Sequence, residues 1–237
     1  MSLKTSIILC TFNEAKYIEN TIAELKRNIQ NLEIVIVDDN STDGTREIIN
    51  RINKNNEHKV VYRNNSKSLA SAFTRALIET TGDYIGWVDT NMAELSKKFP
   101  EMIKCLQANY DLILLSRYIN GGGDERILIR SLCSKYFNIF CTLLLRSSIK
   151  DYTSSIFVMK REVLNEVTFL GYGHGDFFIE FLFNAYQKGF SIKEIPYVQK
   201  KDIDISASKS APNLVKFLFL GIMYVLRIFT ILLRRKN

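Results

Sequence analysis

Histidine is almost missing from this 237-residue chain, which has two, and its four cysteines (Cys10, Cys105, Cys133, Cys141) show none of the paired spacings of a metal site. Without such a pattern to join, the cysteines read as small buried hydrophobes in a reducing compartment. No G-x-G-x-x-G follows the first strand-like run and no G-K-[ST] occurs anywhere, so glycine-loop binding of a dinucleotide or a P-loop nucleotide fails at its own motif. Internal repeats and low-complexity tracts are absent too. The opening MSLKTSIILC has neither the apolar stretch nor the small-residue cleavage site of a signal peptide, so export is not expected. In the apolar C-terminal segment the longest uninterrupted run, Phe217 to Leu226, falls short of the about 20 residues that a bilayer span takes.

What the chain does have is a basic surplus. Its 32 lysines and arginines against 25 acidic residues leave a net charge of +7 and a pI near 9.1. That surplus favours anionic partners. The cations are scattered apart from the closing LLRRKN, and no nucleic-acid motif accompanies them, so no nucleic-acid partner is expected. With 46% hydrophobic and 24% charged residues, the chain can form one large folded domain.

Strand and helix signals alternate along the first half. TSIILC, LEIVIV, KVVYR, YIGWV and DLILLS are strand-like runs. After the first, Ala15, Ile18, Ile22, Leu25 and Ile29 recur at helical steps, with Asn13 placed as a cap and Glu14 in the first turn. Groups at Ile48, Ile49 and Ile52, at Leu69 to Leu77, and at Leu95 to Leu106 mark three further helices. Strands separated by helical crossovers predict a parallel sheet covered on both faces, through roughly residue 118. A long helical segment at about 126–148, a strand-like SSIFVM, a helix over FFIEFLFNAYQKG and a last strand SIKEIPYV then wall the same site. The polar KDIDISASKS reads as a loop, either merely flexible or a lid over a ligand. His58 and His174 read as surface or loop residues. The chain thus divides into an α/β domain at 1–210 and an apolar and basic helix at 211–237.

Ligands of a parallel sheet bind beyond the carboxyl ends of its strands. Here those ends read Thr11-Phe12-Asn13-Glu14, Asp38-Asp39-Asn40-Ser41, Asp89-Thr90-Asn91 and Ser116-Arg117. Each alone is an ordinary polar loop. Four together point to a nucleotide site, where carboxylates accept from base or ribose and a guanidinium forks onto phosphate. With no glycine loop, a divalent cation is left to manage the diphosphate.

TFNE, IVIVDDNSTDGT, the Asp-x-Asn at 89–91 and SRYINGGG resemble, in order and spacing, the family 2 glycosyltransferases, in particular the dolichol- or polyprenol-phosphate mannosyltransferases and their glucosyl relatives. RSLCSKYFN, DYTSS and EIP with a later Ser-Lys extend the likeness to about residue 210. The resemblance implies a GT-A fold, a Rossmann-like sheet that uses a nucleotide-sugar donor, with Mg²⁺ or Mn²⁺ at an Asp-x-Asp motif. It implies nucleotide binding by Thr11, Phe12, Glu14, Asp38 and Asp39, with Asp39 on the base. Asp89 and Asn91 would lie at the metal, Asn91 replacing the family's second aspartate. Arg117 and Arg130 would face donor and acceptor phosphates. Glu180 matches an acidic residue on the acceptor side, with Asp176 one turn earlier, and Lys200, Lys201 and Lys209 are candidates for a basic lid residue. Glu180 reads equally as the solvated side of its helix, Asp176 as a helix cap, and Arg130 as a solvated helix residue.

If the acceptor is a polyprenyl or dolichyl phosphate, the chemistry is direct displacement at the anomeric carbon with inversion. A phosphate monoester, with its second pKa of about 6, needs no strong base. A sugar-hydroxyl acceptor would need one, and Asp176 or Glu180 would serve. The alternatives are a soluble polysaccharide transferase and a non-catalytic nucleotide-sugar-binding protein. On a C-terminal helix, Lys216, Arg227, Thr230 and Arg234 fall along one stripe of an otherwise apolar surface. That pattern predicts an interfacial helix whose cations reach lipid headgroups, holding the protein on the cytoplasmic side of a membrane. A core helix or one packed in a homo-oligomer is the other reading, and a tilted span with Arg227 buried a third.

Overall fold

The computed structural model describes residues 3–64, 68–154, 156–201 and 214–234. Strand β1 (Thr5–Thr11), helix α1 (Ile18–Asn28), β2 (Leu32–Asp39), α2 (Thr45–Ile52), β3 (Lys59–Arg63), α3 (Leu69–Glu79) and β4 (Tyr84–Trp87) alternate as the apolar periodicity predicts. A 3₁₀ turn (Ala93–Lys98) and α4 (Phe99–Gln107) lead into β5 (Leu112–Ser116). Then come β6 (Gly123–Asp124), α5 (Leu128–Leu145), β7 (Phe157–Lys160), α6 (Val163–Glu166), α7 (Asp176–Gln187), β8 (Ile192–Pro196), β9 (Val198–Gln199) and α8 (Leu214–Arg234).

Seven strands form one sheet in the order β3-β2-β1-β4-β7-β5-β8, while β6 and β9 pair separately. The main sheet is mixed: β7 runs antiparallel to both its neighbours, and the other pairs are parallel. The period of two along each strand sends alternate side chains to two cores. Ile7, Leu9, Ile34 and Ile36 meet Ile22 and Leu25 of α1 and Phe99 and Met102 of α4 on one face. Ile8, Val35, Val37 and Trp87 meet α3, α5, α7 and α8 on the other. There Trp87 lies 4.9 Å from Phe73 and 6.0 Å from Phe177, ring to ring, so an aromatic cluster supports the strand just before Asp89. Order along the sheet reverses at β1, which opens a crevice between the carboxyl ends of β1 and β4.

Three expectations change. Helix α1 starts at Ile18, and Asn13 is no cap: it sits at φ 58° in a left-handed turn, and its side-chain carbonyl accepts from the Thr42 N–H at 2.8 Å. Asparagine tolerates that conformation better than most residues. His58 lies in the loop before β3, one of its two expected settings, but is buried there, and burial pushes its imidazole pKa down. His174 is half-buried, and its pKa is shifted the same way by burial. The four cysteines are free thiols, with Cys141 buried but Cys133 exposed on α5.

Close backbone approach fixes the entry to β4. A Cβ added at Gly82 would lie 2.7 Å from the Lys4 carbonyl oxygen and from the Ser6 nitrogen, and neither backbone atom can swing aside. Gly82→Ala should therefore lower stability by about 1–3 kcal/mol, the usual cost of overpacking. An unchanged denaturant midpoint would show that this edge has slack the structure lacks.

Candidate active site

Thr11, Phe12, Glu14, Asp39, Asp89 and Asn91 line one cavity of about 1140 Å³ at the carboxyl edge of the sheet. Arg117, Arg126 and Arg130 line the same cavity, together with Lys216 and apolar residues of α8. Across the sheet the order is Asp39 on β2, Thr11 on β1, Asp89 after β4, then Arg117 after β5. Those strands are four steps apart, about 19 Å at the usual strand spacing. Acidic groups thus occupy one end and guanidinium groups the other.

The DDNSTDGT segment is mostly scaffold. Asp38 and Asp39 are neighbours on a strand and point to opposite faces. Asp38 is fully buried away from the cavity, accepting from Thr11 Oγ1 at 3.0 Å, the Ser41 N–H at 3.1 Å and Arg46 Nε at 2.6 Å. Its expected contact with nucleotide is therefore corrected: it organises the loop. Ser41 Oγ accepts the Asn13 N–H, Thr45 Oγ1 accepts the Glu14 N–H, each at 2.8 Å, and Asp43 accepts the Ala15 N–H at 3.1 Å. These bonds stitch the TFNE turn to the loop and so fix Glu14 relative to Asp39. Asp39 faces the cavity and is paired with Arg63 at 2.5 Å. The Cys10 thiol is pushed up by burial and then by the charges of Asp39 and Asp89, with Arg63 opposing them.

Arg117 is held rather than loose. Its Nε and Nη2 both donate to Asp151 at 2.8 Å, Nη2 also donates to Thr153 at 2.6 Å, and Nη1 lies 3.7 Å from Asp124. Burial opposes its charge, but the Asp151 carboxylate outweighs this and raises the guanidinium pKa. The fork predicted for phosphate is thus occupied by Asp151, and only the Nη1 side remains for a ligand. Asp151 was visible only as the first residue of DYTSS. Arg46, Arg63, Arg126 and Asp124 carried no sequence signal at all.

The sequence profile of glycosyl transferase family 2 matches residues 6–168, well over half the chain. This chain belongs to that family. The dolichol-phosphate mannosyltransferase of Pyrococcus furiosus is 31% identical over 170 residues, which are 70% of this chain and 48% of that protein. Glycosyltransferase AglD of Haloferax volcanii is 24% identical over 203 residues, 82% of this chain and 32% of that one. The chain therefore spans about half the first relative's length and about a third of the second's. Among solved structures, glucosyl-3-phosphoglycerate synthase of Mycobacterium tuberculosis in complex with UDP superposes with a TM-score of 0.74 at 16% identity, covering 97% of this chain and 80% of that one. The same synthase with Mn²⁺, UDP and glucosyl-3-phosphoglycerate gives 0.71 at 16% identity, again covering 97% and 80%. At that identity the likeness is one of fold, the mostly parallel, helix-flanked GT-A sheet.

In this family 2 chain Arg227, expected on a headgroup-facing stripe, faces inward, whereas Lys216 and Arg234 of the same stripe are exposed. Arg227 is only 7% exposed and donates to Asp176 at 2.8 Å and to Glu180 at 3.2 Å, with its guanidinium 4.4 Å from the Tyr172 ring centre. Arg234, more exposed, donates to Glu180 at 2.7 Å. The reason is electrostatic: Asp176 and Glu180 are buried one turn apart on α7 and require a countercharge. Glu180 is consequently neither solvated nor on the cavity wall, and Asp176 also accepts the His174 N–H at 2.7 Å at the helix start. Gly173, at φ +100°, leaves room for this seam, since a Cβ there would lie 2.5 Å from Asp176. Lys200 and Lys201 are exposed and off the cavity, whereas Lys216 is exposed at its wall. Lys209 and the rest of the expected lid lie outside the described residues, as does the expected boundary at 210–211.

Arg227→Met leaves the buried Asp176 carboxylate without its cation and Glu180 with the exposed Arg234 alone, and should cost about 3–5 kcal/mol. Adding Asp176→Asn and Glu180→Gln to the same chain should recover most of it. A loss below about 1 kcal/mol for the single variant, read by chemical denaturation, would mean that the pair is solvated in solution.

Proposed function

We propose that this glycosyltransferase moves a sugar from a nucleotide sugar, GDP-mannose or a UDP-hexose, to a polyprenyl or dolichyl phosphate at a membrane surface, with inversion. The observation that carries the reading is the two-ended cavity. Acceptor carboxylates for a nucleoside line one side, guanidinium groups for phosphates line the other, and α8 supplies an apolar wall through Leu220, Ile222 and Val225. The names of two relatives agree: a dolichol-phosphate mannosyltransferase and, at 24% identity over 167 residues, an undecaprenyl-phosphate 4-deoxy-4-formamido-L-arabinose transferase of Photorhabdus laumondii. A phosphate acceptor also suits the placement of the two acids of α7. Asp176 and Glu180, on which a hydroxyl acceptor would call, are ion-paired to Arg227 and lie off the cavity.

Asp89 offers a carboxylate and Asn91 an amide oxygen at the cavity, and no group of three or more His, Cys, Asp or Glu suited to a metal exists among the described residues. Two oxygens suit Mg²⁺ or Mn²⁺ once a diphosphate and water complete the shell. Such a cation would stabilise the departing nucleoside diphosphate. Arg117 Nη1, Arg126 and Arg130 would offset repulsion between the anionic acceptor and donor.

The membrane side of the reading rests on α5 and α8. Leu128, Tyr136 and Leu143 on α5 and Phe219, Ile222 and Leu233 on α8 are each at least half exposed. The two helices touch through Phe137 and Tyr224, whose rings lie 5.9 Å apart. By length and composition alone α5 could cross a membrane, a test that core helices of soluble proteins also pass. Because Arg227, Ile228 and Ile231 pack α8 onto the body, this helix would lie on lipid rather than span it.

Radiolabelled GDP-mannose, UDP-glucose and UDP-GlcNAc, each offered with and without polyprenyl phosphate, test the reaction. Label should enter the organic phase only with the lipid, and Asp89→Ala should abolish transfer. Asn91→Asp should tighten a metal affinity that is detectable only with nucleotide present. Full activity in excess chelator would remove the cation from the scheme. For the membrane, Phe219→Ser with Ile222→Ser and Leu233→Ser should release the protein from anionic liposomes in flotation; deleting α8 would be a poorer test, since it strips Ile228 and Ile231 from the core. Unaltered flotation would reject the lipid-facing assignment.

A further inference from the structure

We propose that Arg63 is a positioning residue for base recognition. It fixes the Asp39 carboxylate as a rigid acceptor that selects a base with a hydrogen on its ring nitrogen, guanine or uracil, over one whose ring nitrogen is itself an acceptor, adenine or cytosine. The inference rests on the reading of Asp39 as the base-facing group.

Asp39 and Arg63 are register partners at the carboxyl ends of β2 and β3. Nε and Nη2 of Arg63 grip the two carboxylate oxygens at 2.5 and 2.6 Å, the side-by-side fork that carboxylate geometry favours. The rest of the guanidinium is tied to the start of α3: Nη1 donates to Ser71 Oγ at 2.9 Å and Nη2 to the Ser68 carbonyl at 3.2 Å. Arg63 does not line the cavity, but Asp39, Ser68 and Leu69 do. The arginine therefore stands behind the carboxylate and braces it against the helix that forms the adjoining wall.

An ionised carboxylate accepts at about four lone-pair positions, and the fork takes one on each oxygen. What remains toward the cavity is one acceptor per oxygen, in a fixed plane. Guanine and uracil can each meet one of these oxygens with a ring N–H. Adenine and cytosine bring a ring lone pair against a carboxylate that cannot turn away. A carboxylate without its fork can rotate, and the discrimination weakens. Lysine cannot replace the fork, because an ammonium is a point charge without planar geometry.

Calorimetry with GDP, UDP, ADP and CDP tests this on the full chain. The wild type should bind GDP or UDP at least about tenfold tighter than ADP and CDP, the worth of one charged hydrogen bond. Arg63→Gln should narrow that gap to about threefold or less in protein that circular dichroism shows folded, and Arg63→Lys should fall between. Ser71→Ala, which loosens one arm of the brace and leaves Asp39 and Arg63 in place, should narrow it partway and serves if the arginine variants fold poorly. Equal weakening toward all four nucleotides, with the ratio kept, would assign Arg63 a purely structural part and overturn the proposal. Wild-type discrimination without any sugar transfer would remove the proposed reaction and leave this inference standing. Wild type binding none of the four would remove both.

Discussion

Two carboxylates buried one turn apart on α7 would each cost several kcal/mol without a cation beside them, and Arg227 of α8 reaches both. That guanidinium holds an otherwise lipid-like helix against the domain. Tyr224 and Val225, which line the cavity, precede it by less than a turn, so the far wall of the cavity stands where the ion pair puts it. Ile228 and Ile231 complete the seam with apolar contact, but apolar contact alone does not fix register along a helix. The charged pair does.

The near half of the cavity follows the same rule with other partners. Asp38 is met by Arg46, Asp39 by Arg63 and Arg117 by Asp151, and each pair joins a strand end to a different element, α2, β3 and the loop before β7. Charges at the mouth of a sheet are useful to a ligand only if they hold their direction. Each here is fixed by its ion-pair partner, and the cavity lining still runs from Asp39 at β2 to Arg117 at β5. Substituting one partner would release the other, so these pairs bear on binding as much as on stability.

Most of the strands, the helices and the two-faced sheet were legible because apolar side chains recur at periods of two and 3.6. The cavity edge was legible too, since four polar strand ends are hard to explain otherwise. Strand direction was not: SSIFVM reads the same whether β7 runs with or against its neighbours. Nor were the ion pairs, whose members lie 24, 34 and 51 residues apart for Asp39–Arg63, Asp151–Arg117 and Asp176–Arg227. The basic stripe on α8 was correctly placed on one face, yet a stripe does not say whether that face meets lipid or protein. The buried acids on α7 decide it, at the same i, i+4 spacing that made them resemble a catalytic pair. Asp38 was the avoidable miss, because parity along β2 already sends it and Asp39 to opposite sides.

Under the proposed reading, the distribution of chemistry along the cavity matches the order of groups in a donor and acceptor laid end to end. Base recognition calls for acceptors, diphosphate for cations and a polyprenyl tail for apolar surface, and no single element of this fold carries all three. β1, β2 and β4 bring the acceptors, the segment from Arg117 to Arg130 brings the guanidinium groups, and α5 with α8 brings the apolar face. The two substrates are both anionic and would repel each other in open water. A site that interposes fixed cations between them, backed by Asp151 and Asp124 so that the cations do not move, lowers that repulsion before the reaction begins. In such a site the acceptor phosphate supplies its own nucleophilic oxygen, and the buried acids of α7 remain free to do what their ion pairs indicate: keep the lipid-like helix in place.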